Sequence, residues 1–173
     1  GLTPKRERII EPFQLLGEVD EEIRKALGID IVEIGTNTTI YGFENAGWKS
    51  WHLPQGLEVE VPAGFVCSVD EKNNTYMYPC GDIHAKPVAK LPAGGYFFDN
   101  VDHTAGEFDE ETASARKDFR DDYAVYTDSQ LRFMEEQINY YYKNTDYALF
   151  GAAALTAMGD MAYIPGPEQK IPR

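Results

Sequence analysis

Basic residues are scarce in this chain. Sixteen Lys and Arg stand against 29 Asp and Glu, a formal net charge of −13. Binding a nucleic-acid backbone or an anionic membrane calls for the opposite, clustered cations, so both partner classes are excluded. Cysteine is scarce too, two in 173 residues. That is too few for a disulfide scaffold and leads us to expect free thiols in a reducing, cytoplasmic setting. No apolar run approaches the roughly 18 residues of a membrane span. The basic start GLTPKRER has no apolar segment behind it, so it does not read as a signal peptide. A phosphate-binding glycine loop, a nucleophile elbow and an HExxH helix are all missing.

What is present is an ordinary globular composition, 43% hydrophobic and 26% charged, with length enough for one good core. The stretch 40–99 organises the rest: it holds both tryptophans, both cysteines and two of the three histidines. Leu57, Val59 and Val61 alternate with Glu58 and Glu60, the period of a half-buried strand. Pro62-Ala63-Gly64 breaks the chain, and Phe65, Cys67 and Val69 alternate again. Asp70 to Asn74 is a polar turn before the β-prone run Thr75-Tyr76-Met77-Tyr78. This predicts an antiparallel β-meander inserted between helical patterns.

On either side lies a helix–strand unit. The first, 9–34, is predicted as a helix over 9–27 that starts at Glu11-Pro12. It shows Leu15, Leu16, Val19, Ile23 and Leu27 on one face, ends at Gly28, and leads into a strand over 29–34. A charged helical arm over 107–126 then leads to the second unit. There Thr127 or Asp128 caps a helix over 129–143 with Leu131, Met134, Ile138 and Tyr141 as its apolar stripe. A strand over 147–150 follows and ends at Gly151, closing the region 107–151. Two strands of the parallel, buried type need neighbours at their edges and cover on both faces. Either the meander completes a mixed sheet or the chain is part of something larger.

Several phrases carry a family resemblance in their order and spacing: EPFQLLGEVDEEIRKALGIDIVEIG, FENAGWKSWHLPQGLEVEVPAGF, YMYPCGD, KLPAGGYFFD, TDSQLRFMEEQINYYYKNTDYALFGAAA and MAYIPG. Together they resemble the uroporphyrinogen decarboxylase superfamily, and within it the branch of corrinoid-linked methyltransferases and O-demethylases. The resemblance implies an α/β fold that is part of a TIM (β/α) barrel, with the meander inserted between two early barrel strands and the site at the strands' C-terminal ends. A full eight-fold barrel takes about 250 residues, more than this chain supplies. The implied activity is methyl transfer between a small methylated substrate and a corrinoid. The zinc-binding His and Cys residues of the methyltransferases usually lie downstream of the match. No cofactor is therefore expected within this chain, and zinc and corrinoid belong to the complete protein. The implied partners are the remainder of its own barrel or a second copy, and a corrinoid protein. Decarboxylation of a tetrapyrrole is the rival reading, disfavoured because a polycarboxylate calls for an Arg cluster. A non-catalytic, self-associating binding module is the third.

Barrel logic selects Thr36, Asn37 and Thr38 after the first strand and Gly151 after the second, although Asn and Thr are also ordinary turn residues. Trp48, with Trp51 and His52, suits an aromatic lid or a loop anchor; Tyr96, with Phe97, Phe98 and Asp99, suits a ligand wall or core packing. Cys80, Asp82 and His84 lie within five residues of one another. A zinc site wants three or four ligands and no second cluster matches, so they read as structural before metal-binding. Cys67 and Cys80 read as free thiols, and His103 beside Asp99 and Asp102 as a surface hydrogen bond.

Overall fold

The computed structural model describes residues 5–101, 111, 114 and 125–151. In chain order the elements are β1 (Ile9–Glu11), β2 (Leu16–Gly17), α1 (Glu21–Leu27), β3 (Ile31–Ile34), β4 (Lys49–His52) and β5 (Glu58–Val61). Then come β6 (Cys67–Val69), β7 (Thr75–Met77), a 3₁₀ turn at Pro79–Gly81, β8 (Ala89–Leu91), β9 (Asp99–Asn100), α2 (Asp128–Asn144) and β10 (Ala148–Gly151). They fall into two compact units. Among the described residues the first holds 5–19 and 38–101, and the second 20–37, 111, 114 and 125–151.

The first unit is antiparallel throughout its sheets. β1 pairs with β2, β4 with β5, and β6 to β9 form a four-stranded meander in sequence order. Along β5 the expected alternation is there: Val59 and Val61 are buried while Glu58 and Glu60 are half-buried. Glu58 and Glu60 pair with Arg6 and Arg8 at 2.9 and 3.2 Å. The meander turns at Asp70, whose carboxylate accepts the N–H groups of Lys72 and Asn74 at 2.9 and 2.8 Å. The Asn74 side-chain amide donates to the same carboxylate at 2.8 Å, and it, with those two N–H groups, holds Asp70 below the usual carboxylate range. Cys67 sits opposite Met77 in the ladder, while Cys80 is exposed in the 3₁₀ turn, so both thiols are free. Burial pushes the Cys67 thiol up to about 12. Ile9, Tyr41, Phe43, Val59, Val61, Phe65, Met77, Val88, Ala89, Leu91 and Phe98 make one core. Gly64 lets Phe43 into it: a Cβ on Gly64 would stand 2.4 Å from the Phe43 Cβ.

The helix expected over 9–27 is confined to 21–27. Its first half is the β1–β2 hairpin. Glu11 does not open a helix; its carboxylate accepts the N–H groups of Phe13 and Gln14 at 3.0 and 2.7 Å and makes a turn, which Leu15 completes at φ 58°. Burial decides this. Ile9 is in the core, Phe13 and Leu15 pack against it, and the Phe13 carbonyl accepts the N–H of Phe98 at 2.9 Å.

In the second unit Asp20 caps α1 by accepting the Ile23 N–H at 2.9 Å, and Gly28 ends it in the left-handed region at φ 68°. Thr127 and Gln130 form a capping box at the start of α2. β3 and β10 pair parallel in unbroken register, Ala148 with Ile31 through Gly151 with Ile34. Val32 and Ile34 are buried; Ile31 and Phe150, on the opposite face, are 47% and 56% exposed. The stripe expected on α2 is rotated. Met134 and Tyr141 are half-buried with Phe133 and Gln137, whereas Leu131 and Ile138 are exposed. Among the described residues no helix is long and apolar enough to cross a membrane.

In the core of the first unit the Tyr41 hydroxyl is buried with no hydrogen-bond partner among the described residues. Tyr41→Phe is therefore expected to leave folding stability unchanged or raise it by up to about 1 kcal/mol, since it removes a desolvated group and no bond. Phe98→Ala in the same core is expected to cost about 3–5 kcal/mol. Urea melts of the two variants test the contrast, and a Tyr41→Phe variant as damaged as Phe98→Ala would mean that the hydroxyl holds an internal partner.

Candidate functional site

Parallel strands direct their C-terminal ends to one side, and in α/β proteins the loops leaving those ends carry the binding groups. Here that end is made by Gly35-Thr36-Asn37 after β3 and by Gly151 at the end of β10. Thr36 and Asn37 are half-buried, and neither side chain has a hydrogen-bond partner among the described residues. A partly desolvated hydroxyl and carboxamide are what a small polar ligand needs for orientation.

One contact onto this end was not foreseen. Gln137, halfway along α2, donates from Nε2 to the Gly35 carbonyl at 2.7 Å, across 102 residues of sequence. The sequence carries a signal for it, an amide on the same helix face as Met134 and Tyr141, where a polar group must find a partner.

At the opposite, N-terminal end of the strands a second polar set pins the helices. The Tyr147 hydroxyl donates to Glu21 Oε1 at 2.9 Å. Lys25 and Arg24 approach Glu21 at 3.3 and 3.7 Å, and the Arg24 guanidinium lies 5.7 Å from the Tyr141 ring centroid. The Tyr147 hydrogen bond, helped by Lys25 and Arg24, holds the Glu21 carboxyl below its usual range; the same bond raises the Tyr147 phenol.

The other expected site residues belong to the first unit. Thr38 is exposed and bridges antiparallel to Glu44. Trp48 is half-buried with the Arg8 guanidinium 5.0 Å from its ring centroid, so one face of the ring is already taken by a cation. Tyr96 is 76% exposed while Phe98 is in the core, which divides the aromatic run between solvent and packing. Asp99 is exposed and lies opposite Lys90 in the ladder. Cys80, Asp82 and His84 are all exposed; the Asp82 carboxylate accepts the His84 N–H at 2.9 Å and so shapes its own turn. No group of three or more His, Cys, Asp or Glu among the described residues is arranged to hold a metal ion. His103 and nearly all of the charged arm over 107–126 lie outside the described residues.

Comparison with family models, with curated proteins and with solved structures found no match to the chain.

The Glu21–Tyr147 pair has a defined pH window. A depressed carboxyl contributes stability above its unfolded pKa of about 4.3 that is lost as pH falls through the lower folded value. A raised phenol contributes below its unfolded pKa of about 10, and that part is lost as pH rises through the higher folded value. Tyr147→Phe is expected to move the Glu21 carboxyl back up towards the ordinary range and to lower the melting temperature most between these limits. Carbon-detected NMR titration of Glu21 measures the first effect, and an unmoved titration would refute the coupling.

Proposed function

We propose that this chain is part of a cytoplasmic enzyme similar to the uroporphyrinogen decarboxylase superfamily, in its corrinoid-linked methyltransferase or O-demethylase branch. The fold proposed is a TIM barrel that includes β3 and β10, with a small methylated substrate bound at their C-terminal ends. One observation carries the reading: two parallel strands in register, each preceded by its own helix, with Thr36 and Asn37, whose side chains have no hydrogen-bond partner among the described residues, at the end where α/β enzymes bind their ligands. Those two side chains are neutral donors and acceptors, suited to an uncharged ligand.

Charge weighs against the rival, a tetrapyrrole decarboxylase. The chain is strongly acidic, and Arg6, Arg8, Arg24 and Lys25 are each paired with glutamates. A polycarboxylate substrate needs cations held for it instead. The zinc implied by the resemblance finds no ligand set among the described residues, and Cys80, Asp82 and His84 do not supply one. This chain's part in the reading is substrate binding. Two free cysteines agree with a reducing compartment.

Two titrations followed by absorbance test the branch. A methoxyphenol is expected to shift its spectrum on addition of the protein and uroporphyrin is not; the reverse pattern would overturn the methyltransferase reading. In parallel, Thr36→Val with Asn37→Ala is expected to weaken binding of a methoxyphenol by about tenfold or more at unchanged melting temperature.

Self-association is a second reading, favoured by the bare face that carries Ile31 and Phe150, because a parallel sheet is ordinarily covered on both sides. It predicts a dimer in sedimentation velocity that Phe150→Asp dissociates. A monomer at every concentration would remove it.

A further inference from the structure

We propose that Gln137 is a positioning residue that sets the loop leaving β3 for ligand binding. The inference rests on the reading of the β3 and β10 ends as the binding end, and adds to it the group that holds that end in shape.

The case begins with Gly35. The parallel ladder stops at the pair Ile34–Gly151, so the Gly35 carbonyl lies just past the last paired residue and must find its own donor. Gly35 is also unconfined. A Cβ built on it would meet nothing within 4 Å, and its φ lies outside the left-handed region. This glycine is therefore not there to fit a tight space or a strained turn. Glycine has the widest choice of backbone conformations, so a rotation of the Gly35–Thr36 peptide is the change that would re-aim Thr36 and Asn37.

What stops that rotation is the Gln137 amide, whose Nε2–H meets that carbonyl at 2.7 Å. The donor stands on a well-anchored element. α2 is fixed at its start by the Thr127–Gln130 capping box and, one turn beyond Gln137, by Tyr141 beneath the Arg24 guanidinium. A site held to sub-ångström geometry needs this kind of support from outside the residues that touch the ligand. Glutamine serves because it reaches as far as glutamate yet donates and stays neutral; a glutamate would present only lone pairs to the carbonyl.

The test joins a local readout to a binding readout. In Gln137→Met the Gly35 carbonyl ¹³C resonance is expected to move upfield, as for a carbonyl that has lost its donor. Methoxyphenol affinity is expected to fall about tenfold, while the resonances of Val32 and Leu149 in the ladder stay in place. Gln137→Glu, which keeps the size and replaces the donor with an acceptor, is expected to behave alike at neutral pH and serves if the Met variant does not fold. An unmoved Gly35 resonance overturns the inference. So does a moved resonance with unchanged affinity, in a protein whose Thr36→Val variant binds methoxyphenol weakly. If Thr36→Val binds it normally, the reading of this end as the binding end fails, and the positioning role falls with it.

Discussion

The parallel ladder between β3 and β10 is the constraint on which the rest depends. Four residue pairs bring together segments more than a hundred positions apart and leave their C-terminal ends side by side. Parallel strands cannot be joined by a tight turn, so a long connection is obligatory. This chain puts β4 to β9 of the antiparallel unit into it. Of the helices before each strand, α2 packs against both β3 and β10, and α1 is tied to α2 through Arg24 over Tyr141.

The two units solve the burial problem differently. The antiparallel unit is self-sufficient, since its meander and hairpins enclose eleven buried residues in one cluster. In the parallel unit α1 and α2 have no fully buried residue, and the exposed side of the sheet is partly apolar. Polar pins do more of the holding there. Tyr147 to Glu21 and Arg24 over Tyr141 tie the N-terminal end, and Gln137 to Gly35 ties the other. Such bonds are directional, so they fix orientation more sharply than they add stability.

How legible this was in the sequence depended on how local the deciding physics was. Gly28 as a helix end, Thr127 as a cap, the Asp70 turn and the alternation of β5 are decided within a few residues, and each lies where local chemistry puts it. The segment 9–17 departs from the expected helix because its apolar spacing suits a hairpin equally well. The choice is made by a distant core that receives Ile9, Phe13 and Leu15. Periodicity placed only half of the α2 stripe: Met134 and Tyr141 are half-buried, but Leu131 and Ile138 satisfy the same pattern and are exposed, and only contact with the sheet brings Phe133 in beside Met134. At the candidate site, Thr36 and Asn37 were legible as residues just past a strand. Gln137 was legible only as an amide on the face of Met134 and Tyr141 in need of a partner, since nothing in its neighbourhood says that the partner lies 102 positions away. Trp48 was legible as a loop aromatic, but not that Arg8 would lie over its ring.

The long separation between β3 and β10 also bears on how the molecule is made. Contacts in the meander join strands that follow one another, so the meander can form as it leaves the ribosome, before α2 and β10 exist. β3 must wait, its hydrogen-bonding edges open, until residues 148–151 are synthesised and return to it. Closing so large a loop carries an entropic barrier of its own. Pairing of these strands is then the late event in folding, and the interval before it is when an unpaired β3 is most open to capture by another chain.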